Sequence, residues 1–179
     1  MSDFRLGLGH VTLDFLATLG RRAGSPIERL AVPADLSRWI AEAGIAAAPR
    51  TNPESLNDAR ELREAIRRVL GCAREGGRPA ASDLRLVNKW ARSPVAAPQI
   101  GRDFTCESVG PDKVTGALAH IARESVELVT GPDLARVRAC AGCALLFVDR
   151  SRPGTRRWCS MERCGNRNKT AHYRRKRRP

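Results

Sequence analysis

Four of the six cysteines form two pairs near the end of the 179-residue chain: Cys140 and Cys143, then Cys159 and Cys164. Their pattern is C-x2-C-x15-C-x4-C. A C-x-x-C pair can fold as a tight knuckle, with Gly142 permitting the turn, and two converging pairs supply the four sulfurs of a tetrahedral zinc site at Zn–S distances of about 2.3 Å. Four thiolates leave no open coordination position. The pattern therefore favours one structural Zn²⁺ over a catalytic metal.

Two other uses of paired cysteines stay open at this point, an iron–sulfur cluster and a redox dithiol. The C-x-x-C pair has no βαβ pattern around it, which disfavours a thioredoxin-like redox site. The remaining cysteines, Cys72 and Cys106, stand alone and are typical of small apolar residues.

Positive charge is concentrated behind the same cysteines. The chain carries 32 Lys and Arg against 19 Asp and Glu, a net charge of +13. Residues 150–179 hold twelve of the basic residues and one acid, Glu162, which leaves the first 149 residues at only +2. A basic module attached to a nearly neutral domain indicates a polyanionic partner.

A basic helix is predicted to begin near Cys164, and it would present a cationic ridge that includes Arg167, Arg174 and Arg178. Such a ridge suits a phosphate backbone, and Asn and Arg side chains can also contact base edges. A solvated tail is the alternative for a terminal basic run. The candidate nucleic-acid-binding residues are Arg156, Arg157, Asn166, Arg167, Lys169, Arg174, Arg175, Lys176, Arg177 and Arg178.

The elements that must position these groups are a small hairpin and the helix after it. Apolar residues at 145–148 and the segment 156–158 are predicted to pair as two strands around the turn at 149–154. We therefore expect a C-terminal zinc finger made of a β-hairpin and a basic helix.

The rest of the chain predicts a helical domain. Apolar stripes indicate helices over 13–20, 33–43, 52–75, from a Ser82 cap to residue 93, and 112–130. The Pro- and Gly-rich stretch 94–110 favours a small β-hairpin. The fold class is mainly α, with domains at 1–132 and 133–179. Trp39 or Trp90 could line a small-molecule effector pocket.

Several functional classes are disfavoured. The three histidines, His10, His120 and His172, are scattered without a catalytic motif, so we expect no enzyme. No apolar run approaches the roughly 20 residues of a membrane span, and the first twenty residues lack a signal-peptide pattern. A cytoplasmic protein is expected.

The last forty residues closely resemble the CGNR zinc-finger family, whose name is spelled by Cys164-Gly165-Asn166-Arg167. Residues 157–161, Arg-Trp-Cys-Ser-Met, and residues 147–151, Phe-Val-Asp-Arg-Ser, also match that family's pattern. The resemblance implies that the four clustered cysteines are zinc ligands.

The opening of the chain is similar to ABATE, a helical domain described as a stress-induced transcription regulator that commonly precedes this finger. The similarity lies in residues 13–19, Leu-Asp-Phe-Leu-Ala-Thr-Leu, although the family usually has Asn where Ala17 stands. Together the resemblances imply a bacterial DNA-binding transcriptional regulator. The helical domain would then sense a small-molecule effector or form a homodimer. A zinc-stabilised adaptor for RNA, the ribosome or an acidic protein remains the alternative.

Overall fold

The computed structural model describes residues 3–22 and 25–170. Five α-helices form its main body, and three two-stranded antiparallel sheets lie between or after them. The helices are α1 (Val11–Leu16), α2 (Pro33–Glu42), α3 (Pro53–Glu75), α4 (Ala81–Arg92) and α5 (Lys113–Thr130). The strands are β1 (Leu19–Gly20), β2 (Ile27–Glu28), β3 (Ala97–Ile100), β4 (Cys106–Val109), β5 (Val137–Ala139) and β6 (Leu146–Val148). The predicted fold class is confirmed.

Helix α3 forms where its pattern predicts it. The Asn52 side chain accepts a hydrogen bond from the backbone N–H of Ser55 at 2.8 Å, and Pro53 occupies the first turn. Gly76 ends the helix with a φ of 68°, a left-handed conformation that glycine adopts without steric cost. Helix α5 likewise begins at its predicted cap, Asp112.

Two helix boundaries differ from the prediction. Helix α1 ends at Leu16 rather than near residue 20, because the Thr18 hydroxyl donates to the carbonyl of Phe15 at 2.7 Å and the chain then leaves the helix to form β1. Helix α4 begins directly after Ala80, whose side chain makes no capping hydrogen bond, and the predicted cap Ser82 lies in the first turn. The neighbouring Asp83 instead pairs with Arg68 of α3 at 2.7 Å, which anchors the start of α4.

The core lies between α1, α2, α3 and α5. Trp39, Leu62, Leu118 and Ile121 are fully buried, and the ring of Phe15 packs 5.1 Å from that of Trp39. Phe147 and Val148 of β6 belong to the same apolar cluster. The C-terminal strands therefore pack directly on the helical region.

Hydrogen bonds reinforce this contact. The backbone N–H of Val148 donates to the carbonyl of Leu8 at 2.8 Å, and Arg150 pairs with Asp133 at 2.6 Å. A Cβ at Gly9 would approach Val148 to 3.1 Å, so the close approach needs glycine. The division of the chain at residues 132 and 133 stays a prediction.

Strand pairing in the finger differs from the prediction. Strand β6 pairs with β5, in the register Val137–Val148 and Ala139–Leu146, and not with residues 156–158. The backbone N–H of Arg156 instead donates to the buried carboxylate of Asp149 at 2.8 Å. The hairpin strands therefore lie on either side of the first cysteine pair, and residues 149–156 form an irregular loop.

Candidate functional site

Cys140 and Cys143 lie in the turn that joins β5 to β6. The backbone N–H of Cys140 donates to the carbonyl of Leu145 at 2.9 Å, and the N–H of Ala144 donates to the carbonyl of Cys140 at 2.8 Å. The N–H of Gly142 points at the Cys140 sulfur, 3.4 Å away. These bonds close a tight knuckle that turns both sulfurs to one side.

The left-handed residue of this knuckle is Ala144, with a φ of 61°, and not Gly142 as the sequence suggested. Gly142 is needed for a different reason. A Cβ there would lie 3.3 Å from both the Cys164 Cβ and the Trp158 ring, and 3.0 Å from the Asn168 amide. Glycine at 142 thus lets the first pair approach the second.

Replacing Ala144 with Gly is expected to stabilise the finger by about 0.5–1 kcal/mol, because glycine adopts a left-handed φ without the Cβ clash while losing some entropy on folding. Competition with a chromogenic chelator should show zinc affinity equal to or above that of the parent protein. Ala141, in the same knuckle, has no positive φ, so Ala141→Gly is the control and should weaken zinc retention. Equal effects of both substitutions would contradict the strain at Ala144.

Cys159 lies just before a single wide helical turn, Met161–Gly165, and Cys164 lies within it. The hydroxyl of Ser160 accepts from the backbone N–H of Arg163 at 3.3 Å, and the N–H of Cys164 donates to the Ser160 carbonyl at 3.0 Å. This turn continues into a regular helix over 166–170. A helix therefore begins near Cys164, as predicted.

The four sulfurs converge, with all of them within 4.8 Å of one another. The Cys143 and Cys159 sulfurs are 3.7 Å apart, as are those of Cys159 and Cys164. Tetrahedral zinc with bonds of about 2.3 Å places its sulfurs ~3.8 Å apart. All four cysteines are free of disulfides, so the arrangement fits one zinc ion.

The close contact of the sulfurs shifts the pKa values of the thiols in opposite directions. The pKa of Cys143 is lowered to about 5, chiefly because of its hydrogen bond with Cys159. The same hydrogen bond, with burial, raises the pKa of Cys159, and burial raises that of Cys164. Thiolates this close repel one another, and a bound Zn²⁺ supplies the charge that lets all four ionise.

Asp149 organises the loop between the two pairs. Its buried carboxylate accepts hydrogen bonds from the Ser151 hydroxyl at 2.6 Å and from the backbone N–H of Arg156 at 2.8 Å. Burial acts to raise the pKa of Asp149, but these hydrogen bonds outweigh it and lower the pKa to about 2. The loop is thus held by an ionised carboxylate at neutral pH.

The predicted nucleic-acid-binding residues fall into three groups. Asn166, Arg167 and Lys169 are exposed on the helix, and Arg157 is exposed with its guanidinium 5.4 Å from the Trp158 ring. Arg156 is engaged within the finger, since it donates to the Cys159 carbonyl at 2.9 Å and stacks on Phe147. The remaining five predicted residues lie outside the described part of the chain: Arg174, Arg175, Lys176, Arg177 and Arg178.

Two further basic residues, Arg152 and Arg163, are exposed on the finger. Neither has a carboxylate within 4.0 Å among the residues that the structure describes. Both lie in the basic segment 150–179. The concentration of positive charge in that segment could have identified them from the sequence as candidate nucleic-acid-binding residues.

Other candidate groups do not join the cluster. Cys72 and Cys106 lie apart from it, as expected for isolated residues. Trp39 is fully buried, and neither it nor Trp90 lines the clefts beside the cysteine knuckle. Within the described ranges, no helix combines the length and apolarity needed to cross a membrane.

Two models of known protein families together match most of the chain. The ABATE model, described as "Putative stress-induced transcription regulator", matches residues 9–132, and the CGNR zinc-finger model matches residues 136–177. No curated protein sequence shows a significant match. The zinc-finger match and the converging sulfurs agree that Cys140, Cys143, Cys159 and Cys164 form one structural zinc site.

Proposed function

Because this chain belongs to the ABATE family and ends in a CGNR zinc finger, we propose that it is a zinc-dependent regulator of transcription that binds duplex DNA. The families that match are regulator and zinc-finger types rather than known enzymes. On this proposal the protein is bacterial, cytoplasmic and non-catalytic. Residues 133–179 bind DNA, and residues 1–132 sense an effector or form a homodimer.

The observation that carries the proposal is uncompensated positive charge on the zinc-held scaffold. Five cations of the finger have neither a carboxylate partner nor a side-chain hydrogen bond within the described residues: Arg152, Arg157, Arg163, Arg167 and Lys169. The first 149 residues instead carry a net charge of only +2, and several of their arginines, including Arg22, Arg63 and Arg68, pair with a carboxylate at 3.0 Å or less. Unpaired cations on an ordered scaffold favour phosphate contacts over a solubility role.

The helix that follows the second cysteine pair supports DNA in particular. Arg167 and Lys169 are both exposed on it, and Asn166 precedes them. An Arg or Asn side chain on such a helix can reach a base edge in the major groove, while Lys contacts the backbone.

The aromatic residues of the finger disfavour single-stranded RNA. Recognition of unpaired bases relies on open aromatic rings that stack on them. Phe147 is 1% exposed, and the Trp158 ring is part of the apolar cluster beside Gly142. In the described part of the finger, neither ring is an open stacking platform.

The test is filter binding of the zinc-loaded protein to duplex DNA, RNA and an acidic protein at increasing salt. If about six cations meet phosphates, the logarithm of the DNA binding constant should fall with the logarithm of salt concentration at a slope near −5. Preferential binding to a DNA sequence selected from genomic fragments is expected. Equal, salt-labile binding to all three partners would argue against a specific regulator.

A further inference from the structure

A cleft of about 920 Å³ separates the helical region from the metal-binding half of the finger. One wall is formed by the segment before α1 and by the β1–β2 hairpin, including Arg5, Arg21 and Arg29. The opposite wall is formed by the turn and helix that follow Cys159, including Arg163 and Arg167. Small-molecule sites commonly have volumes of about 300–1,000 Å³ and lie where two structural units meet.

The lining of this cleft is strongly cationic. Six arginines and a single carboxylate, that of Glu162, line it. A zinc ion with four thiolates adds two negative charges at the floor, so about three positive charges stay uncompensated. The negative charge of the zinc–thiolate centre therefore does not balance the positive charge of the arginines.

Four of the six guanidinium groups have neither a carboxylate within 4.0 Å nor a hydrogen bond among the described residues: Arg5, Arg21, Arg163 and Arg167. They come from both walls. Guanidinium groups placed around one space bind oxyanions through paired N–H donors, with a geometry that fits phosphate and carboxylate. Their number favours a ligand with several negative charges.

The other two arginines, Arg29 and Arg156, are held in place by hydrogen bonds to backbone carbonyls. The Arg29 side chain is 7% exposed and donates to the backbone carbonyl of Asp3 at 2.8 Å. Burial lowers the pKa of Arg29, the Asp3 carboxylate opposes this effect, and the like charge of Arg5 adds to the lowering. Arg5 and Arg29 line the same wall of the cleft, and an anion between the walls would relieve the repulsion between their charges.

Arg21 occupies a left-handed backbone conformation, with a φ of 52°. Glycine or asparagine fits such a position with less steric cost than arginine. The conformation places the side chain at the lining of the cleft. Substitution by glycine can therefore remove the guanidinium without introducing backbone strain.

Apolar side chains occupy part of the same lining. Leu6, Leu8 and Ile27 come from the helical region, and Leu145 and Met161 come from the finger. An apolar surface beside arginines suits an organic ligand with a nonpolar ring or chain and a charged group.

We propose that this cleft binds a small phosphorylated organic molecule of about nucleotide size, which bridges the helical region and the zinc finger. Its phosphates contact Arg5 and Arg21 on one wall and Arg163 and Arg167 on the other, and its organic part lies on the apolar lining. Since Arg167 also belongs to the proposed DNA surface, the ligand and DNA compete for it. This last consequence alone rests on the proposed function.

The experiment is isothermal titration calorimetry of the zinc-loaded full-length protein, free of DNA. The probes are adenosine triphosphate, pyrophosphate, orthophosphate and unphosphorylated adenosine. We expect the triphosphate to bind most tightly, pyrophosphate and orthophosphate progressively less tightly, and adenosine not measurably. Arg5→Ala and Arg21→Gly should each weaken triphosphate binding by about tenfold or more, since each removes a charge-assisted contact.

Arg85→Ala is the matched control, because Arg85 is exposed on α4, away from the cleft, and loses the same charge. It should leave the affinity within about twofold of the parent protein, as expected for a distant charge screened by salt. Zinc content and thermal unfolding of each variant show whether it is folded.

Three results would overturn the proposal: no phosphorylated probe binds, Arg85→Ala weakens binding as much as the cleft variants do, or the cleft variants weaken DNA binding while triphosphate affinity is unchanged. The last result would make the cleft wall part of the DNA surface. Loss of DNA binding in every preparation, with triphosphate binding intact, would contradict the proposed function and leave the cleft site standing.

Discussion

Replacing Cys159 with Ser is expected to lower zinc affinity by about two orders of magnitude or more and to unfold the finger, because one of four metal–sulfur bonds is lost. Structural zinc supplies about 10–16 kcal/mol to small domains of this kind. The finger has little to replace that energy. Within the described residues its one sheet consists of two strands of three residues each, β5 and β6.

The helical region should remain folded in this variant. Its central side chains, including Trp39, Leu62 and Leu118, pack among the helices. It loses the contact of Phe147 and Val148 with its surface, so we expect its unfolding temperature to fall by a few degrees. Metal analysis, far-ultraviolet circular dichroism and thermal unfolding measure these effects together.

Cys106→Ser is the matched control. Cys106 is exposed in β4 and lies outside the sulfur cluster, so the same change of sulfur to oxygen should leave zinc content and unfolding temperature unaltered. If Cys159→Ser retained one equivalent of zinc through gel filtration with a chelator, the assignment of the fourth ligand would be wrong. Full unfolding of both regions would show that the finger is needed for the helical core.

Reversing the charges of Arg167 and Lys169 with Glu is expected to weaken binding to duplex DNA by at least about 100-fold, since a charge-assisted contact contributes about 1.5–3 kcal/mol. Both side chains are exposed, and within the described residues neither pairs with a carboxylate. The substitutions should therefore leave zinc content unchanged. The slope of the logarithm of the DNA binding constant against the logarithm of salt concentration should become less negative by about two, one for each lost phosphate contact.

The control is the double variant Arg85→Glu and Lys89→Glu on α4, which changes the net charge equally at two exposed positions. Its DNA affinity should fall only a few-fold, because distant charges are screened at physiological salt. Equal losses in both variants would mean that DNA senses the total charge of the protein rather than the finger surface. Gel-shift titrations at several salt concentrations separate the two outcomes.

The zinc ligands could be identified from the sequence because metal binding is encoded by residue type and short spacing. Cys140 and Cys143 need only one turn to converge. The four residues between Cys159 and Cys164 fit the wide helical turn that Ser160 caps. Both ends of helix α3 were predictable for the same reason, since its cap and its terminal glycine act within one turn of the chain.

Strand pairing was not predictable in this way. The 156–158 segment has the composition of a strand, yet the Asp149 carboxylate takes its first N–H, and β6 pairs with β5. Both β5 and residues 156–158 are short segments that could pair with the edge of β6. No residue within β6 itself decides which of the two becomes its partner. Likewise, Gly142 was assigned to the turn, whereas the packing of the second cysteine pair requires it.

By itself, the sequence determined the fold class, the four sulfur ligands and the basic segment behind them, because periodicity, spacing and charge are local properties of a chain. Only the tertiary structure decided which cations are available. It engages Arg156 with backbone carbonyls and leaves Arg163 unpaired within the described residues. It also brings Arg5 and Arg21 to the same cleft as Arg163 and Arg167, more than a hundred residues later in the chain. Such proximity depends on how the helical core seats the finger, and no short-range pattern carries that information.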